Sequence, residues 1–326
     1  MKYSSAPDRQ PAFSMPHFDP SYGYSLDRLL QIMPPLPPDD FASFWEDRYR
    51  RALAQDPRQR LRQCSWSHPD FDCYDLYYRS TDDFDIWGWA LIPKHQPVER
   101  GVIVGHGYGG REGPDFHLPI PNAVLLFPCF RGLSRSRRWP ISDNPAYHVL
   151  HDIDRKDRYI LGGCVEDLWL AVSALLALFP GVEGRVGYLG ISFGGGVGAL
   201  AMPWDGRIRR AHFNVPSFGD HPLRLKLPTW GSAAAVQNYQ REHGHVLETL
   251  RYYDAAVAAR YIRAPVHVAA ALADPVVAPP GQFSIYNALA GQKRLFVLDW
   301  GHADYPGKAV QANMLIAELG EFFGDL

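Results

Sequence analysis

The chain has 326 residues, of which 46% are hydrophobic, so it can bury the core of one large α/β domain or of two modest ones. Its 33 lysines and arginines stand against 35 aspartates and glutamates, which gives a formal net charge of −2 at pH 7. This balance argues against a nucleic-acid partner and against a strongly anionic substrate.

Residues 1–20 are polar, without a basic segment followed by an apolar one, and we therefore expect no signal peptide. We also expect no membrane partner, because no run reaches the length of about eighteen apolar residues that a span needs. Even residues 165–179 include Glu166 and Asp167. The cysteines show no metal-ligand spacing; they are Cys64, Cys73, Cys129 and Cys164. These features predict a cytoplasmic protein with reduced thiols, no metal and no cofactor.

The first clear elements are a helix and a hairpin. A helix is predicted to open at Phe41, because the Asp40 carboxylate can cap it and apolar residues follow at helical spacing. We expect this helix to pack across the edge of a sheet. Alternating residues at 73–78 and 86–92, separated by a polar turn, predict a β-hairpin.

Beyond the hairpin, short apolar strands alternate with helical stretches, as in a parallel sheet that is covered on both faces. The strands are predicted at residues 101–104, 123–127, 186–189, 211–213, 266–272 and 295–298. The helices are predicted at about 159–179, 195–202, 252–262, 281–290 and 308–324. This alternation predicts an α/β protein with a doubly wound, mostly parallel sheet.

Three regions interrupt the alternation. Residues 1–38, rich in proline, aspartate, serine and tyrosine, are predicted to form an N-terminal arm on a single domain of residues 39–326. Residues 130–158 and 216–250 are predicted to be cap-like insertions, because long connections at the carboxyl ends of strands build the pocket and lid of such a sheet.

The segment Gly190-Ile191-Ser192-Phe193-Gly194 follows an apolar run and precedes helix formers. Strand, tight turn and helix in this order make a nucleophile elbow, in which glycines allow a turn so sharp that the serine backbone is strained. A serine placed by chance in a glycine-rich turn is the alternative. The motif therefore needs partners elsewhere in the chain.

A serine nucleophile requires a histidine base and an acid that orients the base, and in this architecture both follow the serine, each after a strand. Asp274 follows the predicted strand at 266–272. His302 follows the next strand, after a glycine that allows a turn toward the sheet. We prefer this pair to the other candidates, which are His243, His245, His267, Asp299 and Asp304.

An oxyanion hole is predicted from the loop at residues 106–110, directly after an apolar strand, and from the residue after the serine. The backbone amides of Tyr108 and Phe193 are the expected donors. His106 is expected to be structural, and a plain β-to-α turn is the alternative for this loop.

Together these motifs resemble those of acetyl xylan esterases and cephalosporin C deacetylases from about Tyr24 to the end of the chain. The resemblance is carried by Asp39-Asp40-Phe41, Phe44-Trp45, Trp87-Gly88-Trp89, His106-Gly107-Tyr108-Gly109-Gly110, Arg131-Gly132-x-Ser134, Gly190-x-Ser192-x-Gly194-Gly195, Asn214-Val215-Pro216, Tyr252-Tyr253-Asp254, Asp274 with Pro279-Pro280, Tyr286-Asn287-Ala288-Leu289-Ala290-Gly291 and Gly301-His302.

The resemblance implies an intracellular α/β-hydrolase that removes acetyl groups from small acetylated sugars and related esters. It implies a triad of Ser192, His302 and Asp274, with Tyr108 and Phe193 at the oxyanion hole. It also implies a homo-oligomer, often a hexamer whose active sites face an internal chamber.

The chain departs from this family pattern at four positions near the expected site. Phe193 and Leu133 replace glutamines, Asn214 replaces an aspartate, and Ala303 replaces a glutamate. Because Phe193 is expected to act through its backbone N–H, the predicted chemistry is retained. The lost polar groups favour a different acyl or alcohol group.

We therefore predict a serine esterase that acts on small-molecule acyl esters, acetylated sugars among them, through an acyl-enzyme on Ser192. One alternative is a serine hydrolase of another acyl class, such as a thioesterase or a peptidase. The other is a non-catalytic binding protein with an esterase fold.

Overall fold

The computed structural model describes residues 16–326, so residues 1–15 of the predicted arm lie outside the described residues. In the described part, nine strands form one sheet in the order β1-β2-β3-β5-β4-β6-β7-β8-β9. Their bounds are Arg60–Gln63 (β1), Phe71–Ser80 (β2), Phe84–Pro93 (β3), Arg100–Gly105 (β4), Ala123–Pro128 (β5), Val186–Ile191 (β6), Ile208–Asn214 (β7), Val266–Ala273 (β8) and Lys293–Trp300 (β9).

Strands β1, β2, β3 and β5 pair antiparallel, and β5, β4, β6, β7, β8 and β9 pair parallel. The chain passes from β4 outward to β5 and then returns to the other side of β4 with β6. The loops after β4 and β6 therefore meet at the point where the winding reverses, which is where doubly wound sheets bind ligands. The doubly wound, mostly parallel sheet predicted from the sequence is confirmed.

The helices of the described residues cover both faces of this sheet. Their bounds are Leu26–Leu29 (α1), Phe41–Leu53 (α2), Pro145–His148 (α3), Ile160–Leu178 (α4), Phe193–Ala201 (α5), His221–Arg224 (α6), Ser232–His243 (α7), Val246–Leu250 (α8), Ala255–Ala259 (α9), Pro279–Ala288 (α10) and Lys308–Gly324 (α11). Residues of α2, α4, α5, α9 and α10 share one apolar core, whereas α11 contributes to the second core on the opposite face. Along β4, Ile103 belongs to the first core and Val102 and Val104 to the second, as the period of two requires.

Helix α4 is apolar and long. By length and composition it could cross a membrane, contrary to the expectation that no run is long enough, but 83% of its most apolar stretch is buried in the structure. Its two carboxylates also have partners in the domain, since Glu166 pairs with Arg48 and Arg51 and Asp167 pairs with Arg131. Helix α4 is thus packed as the central helix of its layer.

Two predictions about α2 are wrong. The Asp40 side chain makes no capping hydrogen bond, because its carboxylate accepts a hydrogen bond from the Tyr252 hydroxyl at 2.5 Å instead. The helix packs on α4, with the Trp45 ring edge-on to Trp169, and not across the sheet edge. That edge is β1, a short polar strand that the hydrophobic pattern does not reveal.

The two predicted insertions contain short helices. The first, residues 130–158, includes α3, and the second, residues 216–250, includes α6, α7 and α8. Helices α3 and α7 contact each other, and the two insertions follow the carboxyl ends of β5 and β7.

In the described residues, the fold strongly favours the neutral form of four of the five buried histidines. Burial lowers the pKa of His106 and of His221 to about 3, that of His148 to about 4, and that of His212 well below its ordinary value. An unfolded histidine titrates near pH 6.5, so below this pH the unfolded chain binds more protons than the folded one.

We therefore expect the free energy of unfolding to be fully retained above about pH 6.5 and to fall below it, by about 1.4 kcal/mol per pH unit for each of these histidines. Burial raises the pKa of Asp254 to about 6, so its carboxyl offsets one histidine below that pH. Urea titrations between about pH 7 and pH 5 measure how steeply the free energy of unfolding changes with pH. His221→Gln should reduce this slope by the contribution of one proton, about 1.4 kcal/mol per pH unit. A stability that stays constant over this range would contradict the prediction.

Candidate active site

Ser192 lies in a strained turn between β6 and α5. Its backbone angles are φ +53° and ψ −111°, a conformation that non-glycine residues rarely adopt. A Cβ added at Gly190 would lie 2.6 Å from the Gly194 carbonyl, and one at Gly194 would lie 2.8 Å from the His106 oxygen. Both glycines are thus required by close backbone contacts, as the elbow motif predicts.

The structure brings Ser192, His302 and Asp274 into one hydrogen-bonded chain. Nε2 of His302 lies 2.8 Å from Ser192 Oγ, and its Nδ1 lies 2.8 Å from Asp274 Oδ2. Because a carboxylate can only accept hydrogen bonds, Nδ1 of His302 carries the ring proton. Nε2 of the ring is then left to accept a hydrogen bond from the Ser192 hydroxyl. Asp274 is fully buried directly after β8, and His302 follows β9.

The Asp274 carboxylate is held from several sides. Its Oδ1 accepts hydrogen bonds from the amides of Val276 and Val277, each at 2.9 Å. The buried Gln282 side chain donates to Oδ2 at 3.0 Å, while its own oxygen accepts from the Ala271 amide. No sequence motif points to Gln282; only the packing of α10 against β8 places it there.

Gly301 has a different role from the one expected. The left-handed residue of this turn is His302, with φ +48°, and Gly301 is not left-handed. A Cβ at Gly301 would instead lie 2.2 Å from Asp274 Oδ2. The glycine is therefore required so that the carboxylate can approach the turn that carries His302.

Gly301→Ala is accordingly expected to lower turnover of a small acetate ester by about 100-fold, because the new methyl group displaces the carboxylate that orients His302. Gly206→Ala is the matched control, since a Cβ there meets nothing within 4 Å. Steady-state kinetics and thermal unfolding of both variants provide the measurement. Equal turnover in the two variants would contradict this account of the contact.

The predicted oxyanion donors are the amide directly after Ser192 and an amide of the loop after β4. That loop lies against the elbow, since a Cβ built at Gly107 would be 3.8 Å from Ser192 Cβ. Within residues 16–326, neither the Tyr108 amide nor the Phe193 amide donates a hydrogen bond to the protein. The Gly194 amide donates to the His106 carbonyl at 3.0 Å, which fixes the elbow against the loop after β4. The elbow and the loop are thus joined directly, and neither predicted donor is used within the described residues.

A family model described as acetyl xylan esterase (AXE1) matches residues 22–317 of this chain. The chain belongs to the acetyl xylan esterase family. It is thus a carboxylic ester hydrolase, and the resemblance found in its sequence is confirmed.

Solved structures share the fold of this family member. The acetyl xylan esterase from Paenibacillus sp. R4 is 24% identical, with a TM-score of 0.78 over 90% of this chain and 99% of that one. Acetyl xylan esterase 1 from Thermoanaerobacterium sp. JW/SL YS485 is 23% identical, with a TM-score of 0.77 over 93% and 99%. The Pyrococcus horikoshii acylaminoacyl peptidase is 16% identical, with a TM-score of 0.62 over 78% of this chain and 41% of that one. These likenesses show the α/β-hydrolase fold.

In this esterase, the Phe193 side chain packs inside the domain. It is fully buried, its ring centroid lies 4.3 Å from that of Tyr108, and Phe130 and Phe218 pack against it edge-on. The Tyr108 hydroxyl lies 3.3 Å from Nδ1 of the buried His148. The Phe193 ring thus packs against the loop that carries Tyr108, while the Phe193 amide lies at the turn after Ser192.

Three other motif residues help to hold the same loop. His106 is buried, and its Nε2 accepts a hydrogen bond from the Phe130 amide at 3.1 Å, which fits the structural role expected for it. Ser134 Oγ accepts from the Arg111 amide at 2.8 Å, and Arg131 is fixed by its ion pair with Asp167. The Arg-Gly-x-Ser segment therefore holds the loop in place.

The remaining departures from the family pattern separate into two groups. Leu133 is buried in the first core and is not among the residues that line the cleft beside His302. Asn214 and Ala303 do line a cleft beside His302, with a volume of about 590 Å³.

The competing residues from the sequence have other partners. His267 on β8 contacts His212 on β7 and Glu318 on α11. Asp304 pairs with Lys308. Asp299 is on β9, where its amide donates to Gln311. His243 ends α7 and His245 precedes α8, both in the second insertion.

Proposed function

We propose that this chain hydrolyses acetyl and other short acyl esters, acetylated sugars among them, through an acyl-enzyme on Ser192. The observation that carries the proposal is the hydrogen-bonded chain from Ser192 through His302 to the buried Asp274. Membership in a family of ester hydrolases supports the same reaction class.

In the first step, Ser192 Oγ attacks the ester carbonyl carbon while its proton moves to Nε2 of His302. Asp274 keeps the other ring nitrogen protonated and stabilises the imidazolium. The carbonyl oxygen becomes an oxyanion that accepts hydrogen bonds from the Tyr108 and Phe193 amides. The imidazolium then gives its proton to the alcohol oxygen as the carbon–oxygen bond breaks.

In the second step, water gives a proton to Nε2 of His302 and attacks the acyl carbon of the Ser192 ester. The same two amides accept hydrogen bonds from the second oxyanion. When this intermediate collapses, the proton returns to Ser192 Oγ and the carboxylic acid is released. No group outside the chain and water is needed to balance the reaction.

A fluorophosphonate probe tests the nucleophile directly. Attack by Ser192 Oγ on phosphorus expels fluoride and leaves a stable covalent adduct. We expect one label per folded chain, on the peptide that contains Ser192, and none in Ser192→Ala. An unlabelled folded wild-type protein would favour a non-catalytic role. A panel of acetyl esters, longer acyl esters, thioesters and peptides then separates the acyl classes.

We also propose that copies of this chain assemble into a homo-oligomer. The proposal rests on the family resemblance and on apolar side chains of α11 that remain exposed in the single chain, Val310 at 62% and Met314 at 54%. The molar mass in solution, measured by light scattering, tests it. A monomer at the concentrations used for kinetics would contradict it.

A further inference from the structure

The cleft beside His302 has apolar walls. Its volume of about 590 Å³ falls within the range typical of small-molecule sites. Apolar side chains from several elements line it, including Ile191, Val276, Leu298, Trp300, Tyr305 and Leu315. Ile191 immediately precedes the serine and is 41% exposed, so an apolar side chain faces solvent next to the reacting atoms.

The position of the cleft indicates which part of an ester it can hold. The alcohol oxygen must lie within hydrogen-bond distance of Nε2 of His302, because it takes its proton from there. The carbon skeleton of the alcohol therefore begins at His302, and His302 and Ala303 are part of the cleft wall. Among the described residues, neither Ser192 nor the loop at 106–110 lines the cleft, so the cleft opens on the His302 side of the nucleophile.

Two residues of the wall beside His302 carry no charge. Asn214 and Ala303, both in the wall, have a neutral amide and a methyl side chain. The buried amide oxygen of Asn214 has no hydrogen-bond partner in the described structure. The charged groups at the rim, Asp304 and Lys308, pair with each other.

We propose that this cleft binds the alcohol part of the ester, and that the preferred alcohol is apolar, with an aryl or alkyl skeleton. This inference rests on the proposed function of Ser192. It states which leaving group, the alcohol of the ester, the same site prefers.

The test compares acetate esters that form the same acyl-enzyme. Ethyl acetate and 2-phenylethyl acetate have alcohols of similar leaving ability, so the ratio of their kcat/KM values reports how the alcohol is bound. We expect 2-phenylethyl acetate to be favoured by about tenfold or more, and to exceed a monoacetylated methyl xyloside as well. A ratio near one, or a preference for the xyloside, would overturn the inference. If no acetate ester is hydrolysed, the proposed function itself fails.

A substitution in the wall of the cleft tests whether the cleft causes the preference for 2-phenylethyl acetate. Ala312 lines the cleft from α11 and is exposed, so Ala312→Phe narrows the cleft without crowding the core. We expect it to move the ratio toward one. Ala177→Phe, at an exposed alanine of α4, is the matched control and should keep the wild-type ratio. If Ala312→Phe instead changes selectivity along ethyl esters of increasing acyl length, the cleft holds the acyl chain and the inference is wrong.

Discussion

Replacing Ser192 with alanine is expected to lower turnover of p-nitrophenyl acetate by about 10⁵- to 10⁶-fold, the loss typical of removing a serine nucleophile. The methyl group cannot form the acyl-enzyme, and His302 then has no hydroxyl to deprotonate. Only the oxyanion donors and substrate binding remain to assist attack by water. Steady-state kinetics at saturating substrate measure the loss.

The fold should not depend on this hydroxyl. Ser192→Ala is expected to show the circular dichroism and thermal unfolding of the wild type, because within residues 16–326 the only side-chain partner of Oγ is the ring of His302. A folded variant with wild-type turnover would show that the nucleophile lies elsewhere.

Asp274→Asn should have the second largest effect, a fall in kcat of about 10⁴-fold. The asparagine amide can donate to Nδ1 of His302, which places the ring proton on Nε2 and removes the acceptor for the Ser192 hydroxyl. The side-chain oxygen can still accept from the amides of Val276 and Val277, whereas the hydrogen bond that Gln282 donates to the second carboxylate oxygen is lost.

Asp299→Asn is the matched control for that variant. Asp299 is a carboxylate close to His302 in the sequence. It lies on β9, however, and the acid that contacts the His302 ring is Asp274. We expect Asp299→Asn to retain the parental kcat. A large loss there, with little effect of Asp274→Asn, would reverse the assignment of the acid.

Sequence and structure agree most closely where local chemistry determines the chain path. Apolar runs of strand length and the glycines of the elbow identify β6, the turn at Ser192 and the start of α5. The end of each apolar run also locates Asp274 and His302, because the carboxyl ends of parallel strands share one edge of the sheet. The order of these local signals is sufficient to predict the fold and to bring the three residues together.

Only the tertiary structure shows which residues from distant parts of the chain contact each other. The local pattern could not show that Asp40 bonds to Tyr252, that the Phe193 ring is buried beneath Tyr108, or that Gln282 holds Asp274. In each case, a side chain's partner is set by how separate elements pack. The sequence by itself therefore determined the fold class, the elbow and the three residues of the hydrogen-bonded chain. The tertiary structure decided what supports those residues and which cleft opens beside His302, because burial and close contact depend on segments that are far apart in the sequence.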